Sequence, residues 1–528
     1  MVLRLLGKGE HLNEAWDAPL TPTAFLDRSA LVFADRIAVI DGEDRFTYRE
    51  FHERCERLAG ALIQRGVEAG DRVAVLAPNN RIPLEAHNGV PKAGAVLVAM
   101  NFRLAPAELA YIMNHSEART LIFDHSYAAT AAKVIELVEH EVDAVEANGP
   151  GNDYEQMLAS AQPLSRPVTD ERSLLALNYT SGTTGQPKGV MYRHRGAYLT
   201  ALAGAYHSKL DQTSVFLWTL PMFHCNGWCF TWAVTAAGGT HLCLPQVDSG
   251  RIWQLIREEG VTHFNGAPTV LSMVAYDPAA SEGPPPRPIE IATGGAPPSP
   301  AILERMAEIN MNVTHLYGLT ETYGPATICE WQPEWNRLPI SEQAKIKARQ
   351  GVGWITSLQA RVVNDSGGDV AANAAEMGEI ALRGNGLMAG YYKDDEATAR
   401  AVPDGWFRTG DLAVMHPDGY VEIRDRSKDI IISGGENIAS IEVEQAVMDH
   451  PAVLEVAVIA HPDDKWGEVP VAYVGLKPGA EATEAEIIDH VRDRLAHYKA
   501  PKQVVFGELP KTSTGKVQKY VLRTGVES

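Results

Sequence analysis

Cysteine is scarce in this chain: five residues in 528, namely Cys55, Cys225, Cys229, Cys243 and Cys329. A sparse and odd-numbered set excludes a disulfide framework, and free thiols point to a cytoplasmic location. Long apolar runs are missing as well. No stretch approaches the ~20 residues that a membrane-spanning helix needs, and Met1-Val2-Leu3-Arg4-Leu5-Leu6 is too short for the apolar part of a secretory signal, so no integral membrane segment is expected. Positive charge is the third deficit, with 47 Lys and Arg against 67 Asp and Glu for a formal net charge of −20. Repulsion at long range then excludes nucleic acid and anionic membrane surfaces as partners. His224, Cys225 and Cys229 lack a second ligand pair at finger-like spacing, which argues against zinc.

What is present is an ordinary soluble composition, 45 % hydrophobic and 22 % charged, in a chain too long for one hydrophobic core. Short apolar runs at Arg72 to Ala77 and Ala95 to Met100, with amphipathic segments such as Leu58 to Arg65 between them, predict parallel strands covered by helices. The expected fold class is α/β, with a large N-terminal domain of helix-covered, mostly parallel sheets over residues 1–425. Residues 426–528 read as a small α+β domain. Its strands are expected at Val453 to Ile459 and Val469 to Leu476. A helix is expected over Glu484 to Leu495, opened by a Thr483/Glu486 capping box and presenting Ile488, Val491 and Leu495 on one face.

The most informative stretch is Tyr179-Thr180-Ser181-Gly182-Thr183-Thr184-Gly185-Gln186-Pro187-Lys188-Gly189. Glycines let several backbone N–H groups aim at one point, hydroxyls add donors, and lysine adds charge, which is a phosphate-holding composition. The nucleoside-triphosphatase P-loop does not fit, because counted from Gly182 it requires glycine where Pro187 stands and a hydroxyl where Gly189 stands. Four more segments follow in order: Tyr317-Gly318-Leu319-Thr320-Glu321, Trp406 to Asp411, Asp425-Arg426-Ser427-Lys428-Asp429 running into Ser433-Gly434-Gly435-Glu436-Asn437, and Pro510 to Lys516. Together the five resemble the signatures of the adenylate-forming, AMP-binding superfamily in its acyl-CoA synthetase branch. The spelling Pro221-Met222-Phe223-His224-Cys225-Asn226-Gly227-Trp228 is most similar to fatty-acid and methylthiopropionate-type CoA ligases.

The resemblance implies an ATP-dependent acid:CoA ligase that makes an acyl-CoA through an acyl-adenylate, with ATP, Mg²⁺ and CoA as cofactor and substrates. Thr180, Ser181, Gly182, Thr183, Thr184, Gly185 and Lys188 would take phosphate, and Thr320 and Glu321 phosphate and metal. Adenine would lie against Tyr317, beside Gly295, Ala296 and Pro297, and Gly318 would also belong to the ATP/AMP site. Asp411 and Arg426 would hold the ribose. Lys516 would bridge carboxylate and α-phosphate, then leave as the small, mobile C-terminal domain turns about Lys428 and Gly434, Gly435 and Glu436 line the CoA tunnel. The expected acid pocket comprises His224, Trp228 and Gly294, with His263, Phe264 and Asn265 as further candidates. A large indole there shortens the pocket and favours a short-to-medium or compact carboxylic acid. An adenylating amide ligase is the alternative. A non-catalytic nucleotide binder is disfavoured because Glu321, Asp411 and Lys516 are all present. A homodimer is expected from the resemblance alone.

Overall fold

The computed structural model describes residues 18–180, 187–295, 298, 300–426, 429–433, 436–463, 465–511 and 517–524. Two large sheets make up most of it. The first has six strands, in the order Asp143–Ala147, Thr120–Asp124, Arg72–Leu76, Val96–Ala99, Leu174–Tyr179, Gly189–Arg193. All its pairings are parallel except the last, where a hairpin brings Gly189–Arg193 back along Leu174–Tyr179. The second has nine strands, with six parallel strands in its middle, among them Met311–Leu319, Ile289–Thr293 and His263–Gly266, and antiparallel strands at both edges.

Covering helices follow from local sequence. Tyr48–Gln64 starts at a Thr47/Glu50 capping box and buries Tyr48, Phe51, Cys55, Leu58 and Leu62, a three-and-four spacing that keeps one face apolar. Arg81–Lys92 is opened by Asn80, whose side chain accepts from the Ile82 N–H, and it is buried over nearly its whole length because it is covered on several sides.

A third sheet was not anticipated: four antiparallel strands, Arg361–Val363, Met377–Leu382, Phe407–Met415 and Val421–Arg426. Its strands mix polar and apolar residues and are separated by polar turns, so they carry little of the apolar patterning that marks the parallel strands. The last sheet uses only later residues, with Gly467–Leu476 flanked by Val453–Asp463 and by Gln503–Phe506. It forms the core of the smaller C-terminal domain, packed with the helices Ser440–Met448 and Glu484–Arg492. The Thr483/Glu486 capping box forms as expected. That helix ends three residues before Leu495, which instead donates its N–H to the Val491 carbonyl and stays packed on the core as the chain turns toward Pro501. Asp425, on the strand that leads out of the larger domain, accepts from the Ser440 N–H, and so caps the first helix of the smaller one, and from the Ser440 hydroxyl at 3.0 Å.

Four buried histidines are held neutral inside the fold. Burial pushes His87, His194 and His315 down to about 4 and His241 to about 3. The unfolded chain titrates these groups near 6.5, so between pH 6.5 and 4 it binds protons that the native state refuses, and stability must fall as pH falls through that window. Asp425, raised by burial to about 6, and Asp41, also raised by burial, oppose this. Calorimetry at pH 7.5 and pH 5 should therefore show a lower Tm at the acid value.

Candidate active site

The phosphate-loop ends are well defined. Tyr179 and Gly189 are cross-strand partners, the Thr180 N–H donates to the Lys188 carbonyl at 3.1 Å, and the Lys188 N–H returns to the Thr180 hydroxyl at 3.3 Å. Ser181, Gly182, Thr183, Thr184 and Gly185 lie outside the described residues. Lys188 extends its ammonium over the ring of Tyr391, 4.8 Å from the centroid.

Thr320 and Glu321 occupy a tight reversal between Met311–Leu319 and Gly324–Ile328. The reversal needs glycine at 318, because a Cβ there would sit 1.9 Å from the Gly324 carbonyl oxygen. It also needs positive φ at Tyr323 and Gly324, at 56° and 101°. The Thr322 hydroxyl accepts from the Leu319 N–H and donates to the Gly324 carbonyl, closing the turn from inside. Outside it, the Tyr192 hydroxyl donates to the Thr320 carbonyl at 2.5 Å, with its ring stacked on Tyr323 at 3.6 Å. The Met388 N–H donates to the Glu321 carbonyl at 2.8 Å. The side chain of Glu321 is held by Tyr391, whose hydroxyl donates to Oε1 at 2.8 Å. Burial, reinforced by the Glu321 charge, raises the Tyr391 phenol well above its ordinary range, so it remains a donor.

Asp411 and Arg426 face each other across an antiparallel pair, with Nε to Oδ1 at 3.1 Å. The other carboxylate oxygen accepts from the Tyr317 hydroxyl at 2.6 Å. Two neighbouring strands of one sheet and the end of another therefore converge on one buried carboxylate.

Trp228 is wedged between two backbones. A Cβ on Gly294 would lie 3.1 Å from its indole, and one on Gly324 would lie 3.0 Å from its Cα. It belongs to an unusual turn: Cys225, Asn226, Gly227, Trp228 and Cys229 all have positive φ. Only one of the five is glycine, and left-handed backbone costs a residue with a side chain about 1–2 kcal/mol. His224, at the start of this turn, is half-buried and neutral. Of the further candidates, His263 spends both ring nitrogens on Thr262 and the Ser208 carbonyl. Phe264 is in the hydrophobic core, and Asn265 accepts from Thr219 through its backbone carbonyl.

Lys516, Lys428, Gly434, Gly435, Ala296 and Pro297 lie outside the described residues. Gly295 is present with φ at 86°, and Glu436 is an exposed strand residue opposite Ser433. Just past 516, Lys519 donates to the Ser440 hydroxyl at 2.6 Å and pairs with Glu444. The only cluster with metal-like spacing among the described residues, Asp27, His52 and Glu56, already receives the Lys92 ammonium.

The model of the AMP-binding enzyme family matches residues 26–392, and that of the AMP-binding enzyme C-terminal domain matches residues 442–516. The chain belongs to the AMP-binding enzyme family. A 4-hydroxybutyrate–CoA ligase of Metallosphaera sedula is 44% identical over 524 residues, covering 96% of this chain and 95% of its own length. The peroxisomal acetate/butyrate–CoA ligase of Arabidopsis thaliana is 44% identical over 535 residues, covering 96% of this chain and 94% of its own. Among solved structures, the ATP-bound MatB of Rhodopseudomonas palustris superposes with a TM-score of 0.83 at 27% identity, covering 96% of this chain and 99% of that one. The anthranilate CoA ligase AuaEII with anthranoyl-AMP superposes with a TM-score of 0.87 at 25% identity, covering 97% and 99%.

For this AMP-binding enzyme the Asp411 cluster yields a direct expectation. Asp411→Asn keeps the shape but removes the charge that Tyr317 and Arg426 are arranged around. A hydrogen bond to a charged group is worth about 1.5–3 kcal/mol, so AMP affinity measured by calorimetric titration should fall roughly 10- to 100-fold.

Proposed function

We propose that this protein, an ATP-dependent acid:CoA ligase working through an acyl-adenylate, takes a short, compact carboxylic acid. The observation that carries the reading is the position of Trp228, whose indole lies against Gly294 at the end of Ile289–Thr293 and whose backbone lies against Gly324 just past Thr320–Glu321. A large side chain filling the space next to the reacting groups leaves room for few methylenes. The relatives named for 4-hydroxybutyrate and for acetate or butyrate support the same size class.

The residues then have distinct tasks. Adenylation brings an acid carboxylate and ATP together, two anions on a chain of net charge −20, so catalysis is chiefly positioning and local charge. Lys188 and the donors of residues 180–185 would hold the phosphates. Asp411 would accept from the ribose hydroxyls, steadied by Arg426 and Tyr317. Glu321 fits Mg²⁺: Tyr391 occupies Oε1, Oε2 has no partner among the described residues, and a half-buried carboxylate oxygen is a hard ligand. When bound, the ion neutralises charge on the phosphate oxygens. The reading places the domain boundary at 425/426. It gives Lys516 the acid carboxylate and α-phosphate, makes Lys428 the pivot, and assigns Gly434, Gly435 and Glu436 to the thiol path. It locates the enzyme in the cytoplasm, consistent with five buried, unpaired cysteines.

The test is a panel of acids with ATP, Mg²⁺ and CoA, following pyrophosphate and free thiol together. Acetate to butyrate should release pyrophosphate with matching loss of thiol, and Trp228→Gly should move the optimum toward longer acids. Pyrophosphate release without thiol loss would select an amide ligase instead. An unchanged chain-length profile in Trp228→Gly would remove the indole from the pocket.

A further inference from the structure

The turn that carries Trp228 is five residues of positive φ in succession, at 47°, 47°, 61°, 54° and 63°. Asparagine tolerates this backbone better than most residues, yet Cys225, Trp228 and Cys229 do not, so the surroundings must hold the turn in place. Part of that support is local. The Asn226 carbonyl accepts from the Cys229 N–H at 3.2 Å and from the Thr231 hydroxyl at 3.3 Å. The rest comes from far away in the chain: the Cys225 and Cys229 thiols make weak contacts to the Leu319 and Tyr323 carbonyls, and the Asn226 amide makes a close one to His87 on the helix Arg81–Lys92.

The geometry of that contact fixes its chemistry. His87 places Nδ1 against the Pro83 carbonyl, which can only accept, so Nδ1 carries the ring proton. His87 is neutral, because burial pushes it down to about 4, and its Nε2 is therefore an acceptor. Asn226 must then present its amide NH₂, and it does so at 2.8 Å. The histidine itself is immobilised: its backbone carbonyl accepts from the Trp232 indole at 3.2 Å, and its ring stands edge-on to that indole at 5.4 Å. Both partners are fully enclosed, with His87 at 1% and Asn226 at 0% exposure, so no water competes for the bond.

We infer that His87 and Asn226 form a strut that sets the position of the Trp228 indole, making them positioning residues for the chain length of the acid. The inference rests on Trp228 bounding the acid pocket, and it adds the part of the molecule that holds Trp228 there. Trp228 lies two residues beyond Asn226 on a backbone with little freedom of its own. A donor–acceptor pair that pins Asn226 therefore pins the indole against Gly294 and the backbone against Gly324. Without the pair the turn can relax toward right-handed backbone, and the indole swings off Gly294.

The experiment compares kcat/KM for acetate and hexanoate, with the KM for ATP, in wild type, His87→Leu, His87→Gln, Asn226→Ala and Trp228→Gly. Loss of the acceptor in His87→Leu should shift the hexanoate-to-acetate ratio toward hexanoate by on the order of tenfold, the scale of a small change in an apolar pocket, with the ATP KM within about twofold. Glutamine offers an amide oxygen to Asn226 and should restore most of the wild-type ratio. Asn226→Ala removes the donor, leaves the His87 helix intact and should reproduce the shift, which decides the matter if His87→Leu does not fold. An unchanged ratio in Asn226→Ala, alongside a shifted ratio in Trp228→Gly, would overturn the strut and leave the pocket reading standing. An unchanged ratio in both would overturn the two together.

Discussion

Two buried tyrosine hydroxyls hold the two carboxylates around which this site is built, Tyr317 on Asp411 and Tyr391 on Glu321. Burial and the neighbouring negative charge both raise these phenols well above their ordinary range, so both remain hydrogen-bond donors at neutral pH. A phenol orients a carboxylate without neutralising it. At Glu321 an arginine or lysine in the same place would consume the charge proposed for a cation, whereas at Asp411 the tyrosine shares the carboxylate with Arg426. The arrangement around Glu321 shows the distinction most clearly, since the nearby Lys188 lies over the Tyr391 ring and not on the carboxylate. Cation and anion are kept apart by an aromatic ring that touches both.

The site lies where three sheets meet. Gly189–Arg193 brings Lys188 from the six-stranded sheet, the turn after Met311–Leu319 brings Thr320 and Glu321 from the nine-stranded one, and Phe407–Met415 with Val421–Arg426 brings Asp411 and Arg426 from the antiparallel one. The segment around Tyr391 stitches the first two together. Val190 and Tyr391 form an antiparallel bridge, the Tyr392 N–H donates to the Gly189 carbonyl, and the Met388 N–H donates to the Glu321 carbonyl. Asp425 continues the chain of connections into the smaller domain through Ser440, which Lys519 also reaches. Residues 425 and 440 are thereby joined through one buried carboxylate and one buried hydroxyl.

Much of this was legible in the sequence because its carriers are local. Short apolar strands, capping residues and the Gly-Leu-Thr-Glu reversal depend on neighbours a few positions away, and the spacing of the signatures gave the order of the site residues along the chain. The supporting side chains were not legible. Tyr391 meets Glu321 across 70 positions, Tyr192 meets Thr320 across 128, and His87 meets Asn226 across 139. Nothing in Gly390-Tyr391-Tyr392-Lys393 marks its tyrosine as different from any surface aromatic. The antiparallel sheet is not legible for a related reason, since strands of three to nine residues with mixed polarity differ little from loops until they pair. The left-handed run at Cys225 to Cys229 was equally hidden, because Cys-Asn-Gly-Trp-Cys advertises one glycine where the backbone takes positive φ five times.

The central claim is that Tyr391 aims the Glu321 carboxylate at a metal–phosphate group. Calorimetric titration of a non-hydrolysable ATP analogue, with and without Mg²⁺, into wild type and Tyr391→Phe tests it most directly. Removing one hydroxyl should weaken binding in the presence of Mg²⁺ by about tenfold, the worth of a hydrogen bond to a charged group, and leave metal-free binding unchanged. Equal losses with and without the metal, or no loss in either, would contradict the account.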